Sequence, residues 1–184
     1  MACTIYAIKG MGQECAGAVA GLKRILIGLS REWVVTDAST SAAPHSVTIA
    51  AAADADNPTF YDYYIMDESS SLSSTLTVNN ANGVKYYNNV INATWVRMRP
   101  EKHIELMALA NEKLIVIAQD NNNEYWVLGK DGFVTATEET AQTGQSFDDL
   151  SGYQVVLTHR SAALPFSISE ANLPAIDTPD SYNE

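Results

Sequence analysis

From Leu72 the chain alternates strictly. Leu72, Ser74, Leu76 and Val78 fall on one face of an extended segment, and Ser73, Thr75, Thr77 and Asn79 fall on the other. A period of two with hydroxyls opposite leucines specifies an antiparallel strand with one face in solvent. Asn80-Ala81-Asn82-Gly83 follows, a run of turn residues that tolerate positive φ. The chain then returns over 84–98 as a second, longer strand. Tyr87, Ile91, Ala93 and Trp95 share one of its faces, and Tyr86, Val90, Val96 and Met98 share the other. Apolar side chains on both faces predict packing on both sides for part of its length. A ribbon this long leaves exposed edges in a monomer, and free edges pair with other chains.

The rest of the chain predicts more strands and a single helix. Residues 3–9, 22–29, 33–36, 47–53 and 60–66 read as strands, separated by Gly, Pro and Asp turns. Pro100 opens a helix in which Glu101 and Glu105 complement the dipole. Ile104, Met107, Ala108 and Asn111 recur at helical spacing, widened by Leu106, Leu109 and Ala110, so the helix is expected to end near Asn111 or Glu112. Residues 113–119, 124–128, 133–136 and 152–159 complete the strands, and 137–151 reads as polar loop. The expected fold is mainly β with one helix, a β-sandwich or partly closed barrel. It occupies 1–160, with 37–58 as a loop or insertion. Residues 161–184, with Pro165, Pro174 and Pro179, are expected to form an extended arm or tail.

Composition limits the chemistry. With 184 residues, 46% of them apolar, the chain buries roughly 70% of its extended surface and needs neither disulfide nor metal to fold. Cys3 and Cys15 form no disulfide framework and no zinc pattern. The apolar run at 25–29 is too short for a signal peptide, and no stretch approaches the ~20 apolar residues that span a bilayer. The chain is therefore expected to be soluble and not exported by a visible route. Eleven basic residues against 22 acidic ones give a net charge of −11. That argues against a surface built to grip nucleic acid. It is compatible with a wall that DNA passes without sticking.

No constellation for catalysis is legible. His45, His103 and His159 have no second ligand at metal spacing and read as surface histidines. Asp67-Glu68, Glu138-Glu139 and Asp148-Asp149 are adjacent pairs, which point apart on a strand, and read as solvated charges. Asp120-Asn121-Asn122-Asn123-Glu124 lacks the spacing of a calcium loop and reads as a hairpin turn. Gly10-Met11-Gly12 lacks the remainder of a phosphate loop. No enzyme, metal or cofactor is expected.

Several segments, in order, resemble the tail tube and tail ring proteins of phages and prophages infecting Bacteroidales, crAss-like phages included. Cys15 followed by Gly21-Leu22-Lys23-Arg24-Ile25 is similar to that family's N-terminal signature. The tyrosine-rich 60–65 and Leu72-Ser73-Ser74-Thr75-Leu76 resemble its next two strands, and 83–87 the start of the one after. Leu106-Met107-Ala108-Leu109-Ala110, 114–117, Asp120-Asn121-Asn122 and Tyr125-Trp126-Val127-Leu128-Gly129 follow. Thr143-Gly144-Gln145-Ser146, leading to Asp149-Leu150-Ser151-Gly152-Tyr153, closes a resemblance that covers about 15–160. Ala20 stands where the family usually has a second glycine, and 37–58 is longer than a minimal member needs.

The resemblance implies a virion protein, part of the phage tail, whose long hairpin joins those of its neighbours into a barrel around a DNA channel. It implies a hexameric or dodecameric ring, other tail or portal proteins as partners, and DNA passing without specific binding. Asp62, Asp67, Glu68 and Lys85, placed on or near the candidate hairpin, are then the candidates for channel-facing side chains. A head–tail connector ring is the related alternative. A carbohydrate- or host-surface-binding sandwich, with Tyr61, Tyr63, Tyr64, Tyr86 and Tyr87 as its platform, is the competing one.

Overall fold

A computed structural model describes residues 18–40, 43–55, 58–66, 68–146 and 148–177. The predicted strand at 3–9, both cysteines and the end of the expected arm lie outside the described residues. The protein is mainly β with one helix, arranged as a sandwich with a third layer.

The strands are β1 (Leu22–Leu29), β2 (Trp33–Asp37), β3 (Val47–Ala51), β4 (Phe60–Tyr64), β5 (Ser71–Asn79) and β6 (Val84–Val96). The helix α1 (Pro100–Asn111) follows. Then come β7 (Leu114–Asp120), β8 (Tyr125–Leu128), β9 (Thr135–Gln142), β10 (Gly152–Ser161), β11 (Phe166–Ile168) and β12 (Ile176–Asp177). A large sheet has the order β11-β8-β7-β1-β4-β12, a small sheet β5-β6-β10-β9, and β2-β3 form a separate hairpin.

The two central strands of the large sheet explain the layering. β7 is buried over six consecutive residues, and β1 over four. Such runs belong to strands covered on both faces. Ile25, Ile27, Leu114, Val116 and Ala118 face the small sheet, where they meet Ile91, Ala93, Trp95, Tyr153, Val155 and Leu157. Leu26, Ile115 and Ile117 face the other way, onto Phe60, Phe166 and the hairpin residues Trp33 and Val47. Within the stretch 37–58, expected as a loop or insertion, the strand read at 47–53 is present as β3 of the third layer, and its Val47 is buried. Each such buried side chain contributes about 1.5–3 kcal/mol.

Gly28 marks how closely side chains pack across neighbouring strands of the large sheet, since Phe60 lies on β4 beside it. A Cβ there would sit 3.0 Å from the Phe60 ring. Gly28→Ala is expected to destabilise the chain by about 1–3 kcal/mol through overpacking, read from the urea midpoint. Adding Phe60→Leu should recover part of the loss; an unchanged midpoint for Gly28→Ala would contradict this packing.

Three sequence expectations change. The polar stretch 137–151 was expected to be loop, yet its first part is strand β9, because Thr135–Gln142 pairs along β10. The C-terminal segment is extended but does not leave the domain before 177. β11 pairs with β8 at one edge of the large sheet, and β12 runs parallel to β4 at the other. The helix has the expected bounds but the opposite orientation. Leu109 is buried, Leu106 is half-buried, and Ile104 and Met107 are 71% and 66% exposed. Tyr153 Oη fixes the helix entrance, accepting from Arg99 N at 3.1 Å and donating to Arg99 O at 3.2 Å.

Candidate assembly surface

The β5–β6 ribbon forms half of the small sheet, and its tip, beyond Tyr87 opposite Ser161, extends past β10. Its register runs from Ser71 opposite Asn92 to Asn79 opposite Val84. The turn is closed by Ala81 N donating to Asn79 Oδ1 at 3.1 Å and by Gly83 at φ 65. Near its foot the ribbon is anchored, since Ile91 is fully buried and Leu72 packs against the same core. Four pairs further on it leaves the core. Leu76, opposite Tyr87, is 44% exposed, and Val78, opposite Lys85, is 51% exposed. Among the described strands β5 pairs with β6 alone, so its outer edge is open. That edge contains neither charge nor proline (Ser-Leu-Ser-Ser-Thr-Leu-Thr-Val-Asn), the devices that usually block edge-to-edge pairing. β9 forms the opposite edge of the small sheet.

A cavity of about 610 Å³ opens beside the foot of β5, lined by Ser71, Leu72, Ser74, Trp126, Leu164 and Pro165 among others. The chain enters the fold along its rim. Val19 N donates to Asn122 Oδ1 at 2.8 Å, Asn121 Nδ2 donates to Ala20 O at 2.7 Å, and Leu22 N donates to Ser70 O at 3.2 Å. The turn 120–123 that grips it is a hairpin turn, as expected. Asp120 Oδ1 accepts from Asn122 N and Glu124 N, and Oδ2 from Trp126 Nε1.

The structure separates the four residues singled out for a channel. Asp62 is a correction: its side chain is fully buried beneath the third layer, and its Oδ2 lies 3.0 Å from Arg24 Nη1. The parity of β4 turns Asp62 to the same side as Phe60, opposite Leu26, and so into the core. Arg24 Nε in turn donates to Gln119 Oε1 at 2.8 Å. Asp67 lies outside the described residues. Glu68 is exposed, at φ 57 in the connection between β4 and β5 rather than on the ribbon. Lys85 alone of the four is on the ribbon, and it is exposed there. The tyrosines form no single platform: Tyr61 and Tyr64 point to opposite faces of β4, as Tyr86 and Tyr87 do on β6.

Other sequence readings resolve similarly. Asp149 accepts from Ser146 N at 2.7 Å and Gln145 N at 2.8 Å, and these bonds hold its carboxyl below the usual range. It closes a turn. Among the described residues no group of three or more His, Cys, Asp or Glu side chains is placed to hold a metal ion.

His159 corrects the surface reading. It is 4% exposed and lies opposite Asn89, itself fully buried, on the core side of the small sheet. Neither ring nitrogen, and neither polar atom of the Asn89 amide, has a hydrogen-bond partner among the described residues. This pair sits between the apolar anchor at Ile91 and the exposed ribbon. Burial pushes the imidazole below its ordinary value of 6.5, against the opposing pull of Asp131. The unfolded chain therefore takes up the proton first as pH falls. Stability from this group is complete above pH 6.5 and is lost as pH falls from there toward the depressed folded value. The urea midpoint is expected to be lower at pH 5.5 than at pH 7.5, and His159→Gln should reduce that difference. An identical pH dependence in His159→Gln would contradict the assignment.

Compared with known protein families, curated proteins and solved structures, the chain matches none. Among the described residues no helix is long and apolar enough to cross a membrane.

Proposed function

We propose that this protein is a structural subunit of a phage tail, that it assembles into closed rings around a DNA channel, and that it performs no chemistry. The observation that carries the reading is the open, uncharged edge of β5, among the described strands, on a ribbon whose tip extends past the rest of its sheet. Its place is the virion, reached by assembly in the host cytoplasm, where other tail or portal proteins cap the ring.

Two geometric arguments support closure. All neighbours in the small sheet are antiparallel, and four strands is an even number, so β5 and β9 run in opposite directions. β9 of one copy therefore meets β5 of the next as an antiparallel pair, and the same step repeats head to tail until the ring closes. The second argument is taper. Six copies supply about 24 small-sheet strands, which at ~4.8 Å spacing and ~40° tilt close into a barrel about 48 Å across at the backbone. The large sheet lies about 10 Å further out, where the circumference is about 1.4 times larger for six copies and about 1.2 times for twelve. The strand numbers, six over four, give 1.5. The wedge suits six copies better than twelve.

Native mass spectrometry of the purified chain is expected to give a six-copy species, with rings in negative-stain images. A monodisperse monomer at high concentration, without rings, would overturn the proposal.

A further inference from the structure

We infer that the channel wall is the solvent face of the small sheet and that this wall is electrically neutral; the inference rests on the ring reading above. The face is fixed by sterics. The core side of the small sheet carries the large sheet and, beyond it, the β2–β3 hairpin. Inside a barrel of about 24 Å radius, a layer 10 Å further in has about 0.6 of the circumference, yet the large sheet has six strands per copy against four, so it does not fit there. A ring that closes through β5 and β9 must therefore place the sandwich outside and turn the opposite face inward.

Strand parity states which residues that face carries. Ser73, Thr75, Asn92, Gln154 and Thr140 lie on it, linked by the registers of β5, β6, β10 and β9, and all five are exposed. Among the residues of the four strands its charges are Glu138 and Arg160, one of each sign. Lys85 belongs to the other face, opposite Val78. The chain's net charge of −11 is thus carried elsewhere, and the wall neither repels phosphates, as an acidic lining would, nor releases counterions by pairing with them. Tight binding to a polyanion depends on that release. The same parity adds Val84, Tyr86 and Val96, and a lining of hydroxyls, amides and these uncharged side chains lets a duplex pass without a charged foothold.

The test uses charge and topology together. Gln154→Lys, on an interior strand away from the ring seam, places one lysine per copy on the wall, and Thr75→Lys is the second variant. Rings of either are expected to retain linear duplex DNA at least tenfold over the same DNA as a closed circle, which cannot thread. That retention should fall about 1000-fold between about 50 and 200 mM salt, as for six phosphate contacts. Met107→Lys, on the exposed side of α1, should not discriminate between the two forms. The unmodified ring should retain neither form. Equal retention of linear and circular DNA by Gln154→Lys and Thr75→Lys rings would place this face outside. Salt-sensitive threading by the unmodified ring would refute the neutral wall. Failure of the unmodified chain to form rings would overturn the ring reading itself.

Discussion

A chain carrying Leu76→Glu and Val78→Glu folds normally and stays monomeric at concentrations where the unmodified chain forms rings. The two side chains are about half exposed in the single subunit, so the monomer loses little; exposed positions change stability by about 0.5 kcal/mol or less. At a seam between copies they become buried. Removing two aliphatic contacts costs about 3 kcal/mol or more, before the desolvation of two new carboxylates is counted. That is at least ~100-fold per interface. Unfolding in urea and native mass separate the two effects. An unchanged ring population would mean that the ribbon is not the contact, whereas a collapsed urea midpoint would mean that Leu76 and Val78 hold the subunit together.

The second large effect falls on the monomer. Arg24→Ala should lower stability by about 3 kcal/mol, because it leaves the Asp62 carboxylate buried without its counter-charge. Asp62→Asn should cost less, since the guanidinium it abandons is 22% exposed and reaches water. Arg24→Leu combined with Asp62→Leu should recover most of the loss, as replacement of a whole buried pair by packed apolar groups often does. Urea midpoints for the three variants decide. If Arg24→Ala costs less than about 1 kcal/mol, or if the double variant is the worst of the set, the pair does not have this role.

The sequence made the local structure legible where one period dominated. The alternation from Leu72, the Asn-Gly turn and the helix start at Pro100 depend on near neighbours, and each lies where the pattern placed it. What the pattern missed depends on contacts distant in the chain. β9 reads as loop because Glu138, Glu139 and three threonines satisfy no apolar period; its strand character comes from the ladder to β10. Asp62 passes for a channel-facing candidate because nothing near it announces that Arg24, 38 residues earlier, waits across the sheet. His159 looks like a strand-end histidine until β10 is seen to run on to Ser161 beside Asn89. The Ile104–Met107 stripe shows the limit of periodicity: spacing identifies a helix, while which side faces inward was decided by Leu106 and Leu109 meeting Ala136 and the core.

The candidate site follows the same division. That a long ribbon exists and presents an open edge could be read from alternation and composition. Which residues would face a channel could not, because that requires knowing which side of the small sheet the sandwich occupies. On the proposed ring, Asp62 and Lys85 fall off the wall and Glu68 lies outside the ribbon, and the wall goes to serines, threonines, amides and a few valines and Tyr86 that carry no motif.

The most direct measurement is a cryo-microscopy map of the purified protein at high concentration, read at the outer edge of β5. The account predicts main-chain hydrogen bonds from β5 to a strand of a second copy, repeated around a closed circle. A map in which that edge faces solvent, or is sealed by its own chain with no neighbour in contact, would contradict it.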